Sequence, residues 1–129
     1  MPPAHLVSHN PATVHAPAGG YCMGLELTQY RRLLFISGQV PERLDGTVPE
    51  GFEAQCEQAW RNLIEVLAAA GLGIAHLVKV TTFLTDRNQL VTNRSIRRAM
   101  LGDQPALTVV IVETVDSKWL LEIEAIAAE

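Results

Sequence analysis

LVKVTTFLTDRNQLVTNRSIRRAMLGDQPALTVVIV, residues 77–112, changes its periodicity twice, and those changes decide the fold class. From Leu77 to Thr85 the residues Val78, Val80, Thr82 and Leu84 alternate with Leu77, Lys79, Thr81 and Phe83. This is the two-residue period of a strand with one face more buried than the other. Asp86 follows as a helix cap, and Gln89 stands where a capping box needs its return partner. The helix is predicted to run to about Leu101, where Gly102-Asp103-Gln104-Pro105 breaks it. Ala106 to Val112 is then an almost unbroken apolar run, which predicts a strand covered on both faces. A strand, a helix and a second strand in immediate succession place the chain in the α/β class, in the α+β sense of helices set on one side of a mixed β-sheet.

Working outward, Pro49 to Gly71 carries Phe52, Cys56, Ala59, Trp60, Leu63, Val66, Leu67 and Ala70 at three- and four-residue steps. That spacing predicts a helix with one apolar stripe, ended at Gly71 and Gly73. Further upstream, Tyr21 to Leu27 and Arg32 to Val40 read as two strands of an antiparallel hairpin, closed by Pro41 and followed by a turn at Asp45-Gly46. Residues 1–20 form an irregular arm rich in proline, with one short strand around Leu6-Val7-Ser8. At the other end, Asp116-Ser117 turns the chain into a last strand, Trp119 to Ala128. There Glu122 and Glu124 share one face and Leu121, Ile123 and Ala125 the other. The predicted order is β-β-α-β-α-β-β, and residues 1–129 are expected to form a single domain.

Composition narrows the function. The 129 residues are 48% hydrophobic and 19% charged, within the range of globular proteins, and only 5% are aromatic. A net charge of −4, without aromatics interleaved among the basic residues, makes nucleic acid an unexpected partner. No apolar run approaches the ~20 residues of a membrane span. The N-terminus has neither the basic nor the apolar region of a secretory signal, so a cytoplasmic location is expected. A short chain with a core of small branched residues buries limited area, which raises the expectation of an oligomer.

The candidate chemistry is sparse. Gly71-Leu72-Gly73 ends a helix instead of opening one after a strand, so no dinucleotide site is expected there. His5 and His9 lie in the arm without an acidic or thiol cluster, and no metal or other cofactor is expected. Cys22 and Cys56 read as small buried hydrophobes. Glu122 is the more pointed signal, a carboxylate enclosed by Leu120, Leu121 and Ile123, which is a residue type used for proton transfer. The plain alternative is that Glu122 and Glu124 line a solvated sheet face, just as Arg94, Arg97 and Arg98 read plainly as a solvated helix face.

Four segments, in order, carry a resemblance: Phe35-Ile36-Ser37-Gly38-Gln39-Val40-Pro41, Leu67 to Leu72, Val78 to Asp86, and Glu122-Ile123-Glu124-Ala125-Ile126-Ala127. Together they resemble the Rid/YjgF family of reactive-intermediate (enamine/imine) deaminases. The resemblance implies a chorismate-mutase-like fold and a homotrimer, with a small-molecule pocket at each of three subunit interfaces. It implies that Glu122 positions the hydrolytic water, and that Tyr21, Ser37 and Gly38 shape the pocket. Arg94 falls where an asparagine is frequent, and Val109 where a cysteine is common. Deaminating members hold the substrate carboxylate with an arginine in a Pro-Ala-Arg-Ser pattern, but this chain reads Pro105-Ala106-Leu107-Thr108. Leu107 therefore removes the expected guanidinium, and efficient hydrolysis of 2-aminoacrylate is not expected. The reading that follows is a pocket for a less anionic molecule, with hydrolysis of a C=N or related electrophile. The alternatives are a deaminase with Arg94 as substitute anchor, or a non-catalytic ligand-binding or sensor protein.

Overall fold

The computed structural model describes residues 5–19, 21–102 and 105–129. Pro2, Pro3 and Gly20 of the arm, and Asp103-Gln104 of the helix break, lie outside the described residues. The elements are β1 (His5–His9), β2 (Gly24–Thr28), β3 (Leu33–Gln39), α1 (Phe52–Ala69), β4 (Leu77–Leu84), α2 (Leu90–Leu101), β5 (Ala106–Ile111) and β6 (Leu121–Ala128). Strands β3, β6, β4 and β5 lie side by side in that order in a four-stranded mixed sheet. β6 is antiparallel to both neighbours, whereas β4 and β5 are parallel and joined through α2.

Helix α1 forms because its apolar stripe finds a partner. Cys56, Ala59, Trp60, Leu63 and Leu67 are buried against Val80 and Leu84 of β4 and Leu121 and Ile123 of β6. Ile96, Met100 and Leu101 of α2, with Leu107, Val109 and Ile111 of β5, pack on the same cluster. Both helices thus cover one face of the sheet. The amides of Gly71 and Leu72 donate to Ala68 and Leu67 across the end of α1, and Gly71 holds the positive φ of 75° that this closure requires. The capping box appears as read: Asp86 accepts from the Asn88 amide at 2.8 Å, while Gln89 Oε1 accepts from Asp86 N at 3.1 Å. It opens a short 3-10 turn that runs into α2.

Three expectations are corrected. β2 pairs with β1 in a separate two-stranded sheet, with Leu6 opposite Leu27, and β3 pairs with β6 instead of β2. Gln29, in the left-handed region at φ 55°, interrupts the path between the two segments that read as a hairpin. β5 is an edge strand whose Thr108 and Val110 are exposed, so it is covered on one face only. In β4 the alternation slips between Leu77 and Lys79, so Leu77 is buried alongside Val80, Thr82 and Leu84.

Candidate functional site

Glu122 stands on the sheet face away from the helices, directly opposite Phe83 of β4. Its neighbours Leu121 and Ile123 are fully buried on the helix side, which fixes the direction in which the carboxylate points. The start of β6 is held by the buried Gln55 of α1, whose Oε1 accepts from Leu120 N at 2.8 Å and whose Nε2 donates to Lys118 O at 3.0 Å. Across the strand pair, Ile36 faces Ala125 but Gln39 faces Ile123, so β3 bulges through Ser37 and Gly38. That bulge brings the Gly38 backbone against the carboxylate: a methyl group built on Gly38 would lie 2.7 Å from Glu122 Cδ. Glycine is required here for close approach. Gly38, Phe83, Glu122 and Glu124 line a shallow cavity of about 350 Å³ that continues to Val115.

Tyr21, Arg94, Leu107 and Val109 meet elsewhere. They line a cavity of about 260 Å³ between α2, the edge strand β5 and the end of the arm. A parallel bridge between Cys22 and Ala106 ties the arm to β5, placing Tyr21 beside Leu107. The Tyr21 hydroxyl accepts from Ala18 N at 3.3 Å. Leu107 and Val109 face the helices, so this cavity and Glu122 lie on opposite faces of one sheet. A single chain does not bring the two sets together.

Two further residues line the second cavity that the sequence reading had not selected, Asn93 and Arg97. They sit one turn apart on the inward side of α2, and are only 2% and 5% exposed. Asn93 Oδ1 and Arg97 Nε are fully enclosed, with no hydrogen-bond partner among the described residues. Burial, and then the neighbouring Arg94 and Arg98 charges, push the Arg97 guanidinium below its ordinary pKa, with Tyr21 acting in the opposite sense. The signal was present in the sequence: Asn93, Ile96, Arg97, Met100 and Leu101 recur at the three- and four-residue spacing of one helix face, so two polar residues share the stripe that packs inward.

His5, His9, His76 and Cys56 take structural places. His5 and His9 are four residues apart on β1, roughly 13 Å along a strand, too far to share an ion. His9 instead approaches Glu26 at 3.4 Å. His76 accepts from the Gly73 amide at 3.0 Å. Cys56 is fully buried in the core, and burial pushes its thiol up to about 12.

The sequence profile described as "Endoribonuclease L-PSP" matches residues 13–129. The 2-iminobutanoate/2-iminopropanoate deaminase of Salmonella typhimurium is 34% identical over 123 residues, covering 90% of this chain and 94% of that protein. The chain belongs to the Rid/YjgF family. Its fold agrees: YyfB of Yersinia pestis, a Rid-family protein, superposes with a TM-score of 0.82 at 29% identity, covering 96% of this chain and 98% of that one. Escherichia coli TdcF, crystallised with bound serine, superposes at 0.70 with 28% identity over 88% of this chain and 91% of that one. Among the described residues of this Rid-family chain, no helix is long and apolar enough to cross a membrane.

Proposed function

We propose that this Rid-family chain is a deaminase-type hydrolase that works on a small imine or enamine, as a homotrimer with each site closed between two copies. The observation that carries the reading is the separation of the candidate residues. Gly38 and Glu122 lie on the open face of the sheet, while Tyr21, Arg94, Leu107 and Val109 lie on a cavity at the β5 edge. One small molecule meets both sets only across a boundary between copies. The open face has the character of such a boundary, with Phe35 exposed on the β3 edge and Val110 exposed on the β5 edge. The bound serine in TdcF supports a ligand of amino-acid size.

In that cleft Glu122 accepts a proton from water as the water oxygen adds to the C=N carbon. The nitrogen takes up protons, and the carbinolamine collapses with cleavage of the C–N bond. Imine and water become a carbonyl compound and ammonia, and Glu122 ends as it began. An enamine enters the same sequence after taking a proton at its β-carbon. Leu107 makes one wall apolar, so 2-aminoacrylate, which after protonation offers only a methyl group to that wall, is a poorer substrate than 2-iminobutanoate.

The test supplies imines in situ from a dehydratase acting on threonine or serine and follows ammonia and oxo-acid release. Accelerated hydrolysis of 2-iminobutanoate, a loss of about 10²–10⁴-fold in Glu122→Gln and a trimer mass by light scattering are expected. A monomer with full activity, or unchanged turnover in Glu122→Gln, refutes the reading.

A further inference from the structure

Burying a guanidinium without a partner is costly, because water is removed and nothing replaces it. Arg97 is in that position: 95% of it is removed from solvent, its Nε is enclosed, and no ion pair to a described residue compensates it. The neighbouring charges are Arg94 and Arg98, both of its own sign, and the Tyr21 side chain lines the same cavity. Asn93, one turn earlier, adds an enclosed and unpartnered oxygen to the same wall. Across the cavity stand Leu107 and Val109. A cavity with a cationic wall on α2 and an aliphatic wall on β5 is complementary to a small amphiphile. At about 260 Å³ it is close to the lower limit for ligand pockets, so the ligand is small.

We propose that Arg97, with Arg94 beside it, is the carboxylate anchor of this pocket, and that the pocket takes 2-imino and 2-oxo acids with an aliphatic side chain, carboxylate on α2 and alkyl group on Leu107 and Val109. The imino-acid part rests on the deaminase reading above; the anion anchor does not. Relative to a site that holds the carboxylate from β5, the ligand is turned around. The side chain occupies the space that a strand-borne arginine would fill. Arg97 acts as a binding residue here, since it offers donors to the carboxylate and no group that takes part in proton transfer.

Calorimetry on the intact protein tests this without requiring turnover. Pyruvate, 2-oxobutanoate and 4-methyl-2-oxopentanoate serve as probes, with the neutral amide of 2-oxobutanoate as control. The acid is expected to bind at least thirtyfold more tightly than its amide, the value of a desolvated charge partner. Affinity is expected to rise about fourfold per added methylene that reaches Leu107 and Val109. Arg97→Met is expected to abolish the preference for acid over amide, and Arg97→Lys to restore part of it, as a point charge without the bidentate fork. Equal binding of acid and amide by the wild-type protein overturns the proposal, whether or not Arg97→Met folds. So does Arg97→Met that keeps the acid preference. Arg97-dependent acid binding without any acceleration of imine hydrolysis supports the anchor and refutes the deaminase reading. Hydrolysis with an unchanged KM in folded Arg97→Met does the reverse.

Discussion

Replacing Gly38 with alanine tests the contact between the β3 bulge and Glu122 at the scale of one methyl group. The built methyl carbon lies 2.7 Å from Glu122 Cδ, where nonbonded carbons rest at ~3.5–4.0 Å. The carboxyl group must therefore retreat by about 1 Å. Because the obstacle is the far end of a flexible side chain, the adjustment is cheap for the fold, about 0.5–1.5 kcal/mol for an off-rotamer torsion. For chemistry it is expensive, since about 1 Å of misplacement in a reacting group costs on the order of 10²-fold. Gly38→Ala is thus expected to lower kcat/KM for imine hydrolysis by about two orders of magnitude. Its melting temperature should fall by no more than about 9 °C. The assay is ammonia release with enamine generated in situ, beside a thermal melt and light scattering of the same preparation. Full activity in Gly38→Ala, with Glu122→Gln inactive, would refute the claim that the bulge places the carboxylate. Loss of activity accompanied by loss of the trimer would show that Gly38 serves assembly instead.

Other outcomes follow from single contacts. Asp86→Ala removes the acceptor of the Asn88 amide and should destabilise the fold by about 1 kcal/mol, visible as a melting shift of about 3–6 °C. The hydrogen bonds from Arg32, and then the Arg32 and Arg31 charges, hold the Glu129 carboxyl below its ordinary 4.5. Its contribution is therefore complete above that value and lost as pH falls through the folded-state pKa, and Glu129→Gln should flatten the acid limb of a stability–pH curve. Cys56, with its thiol near 12 and no exposed surface, should resist iodoacetamide in native protein and react fully in denaturant; native labelling would contradict its burial. Leu107→Arg adds a guanidinium to the wall that faces Arg97, so binding of pyruvate should rise relative to 4-methyl-2-oxopentanoate; an unchanged ratio would show that Leu107 does not contact the alkyl group.

Much of the fold was legible because its signals are local. The stripe of α1, the capping box at Asp86 and the alternation of β6 each need only a few neighbouring residues, and each appears in the structure where it was read. Pairing was less legible, because adjacency in sequence is weak evidence about partners. Tyr21–Leu27 and Arg32–Val40 have hairpin spacing, but β3 takes β6 as its partner from the far end of the chain. The unbroken run of β5 was read as a strand covered on both faces, a pattern that an edge strand also carries when its open face is apolar. At the site, the resemblance pointed to Glu122 and Gly38, which the bulge does bring into contact. It passed over Asn93 and Arg97, because three nearby arginines suggest a solvated helix face until the helix phase assigns one of them to the interior.

That phase bears on what a leucine at position 107 means. Counting arginines in the strand pattern alone suggests a pocket that has lost its affinity for anions. Counting charge by cavity wall gives another result, since the wall opposite Leu107 belongs to α2 and carries Arg94 and Arg97. A buried guanidinium needs an acceptor, and an aliphatic wall needs apolar surface; a carboxylate with an alkyl chain supplies both at once. Read this way, a leucine on β5 and an arginine inside α2 are one arrangement. Either feature alone is costly, Arg97 as an unpaired buried charge and Leu107 as grease facing a polar ligand. Together they define an axis along which a small acid can lie. The two features should therefore be coupled: the combined effect of Arg97→Met and Leu107→Ala on acid affinity should differ from the sum of the single effects, because the same ligand spans both walls.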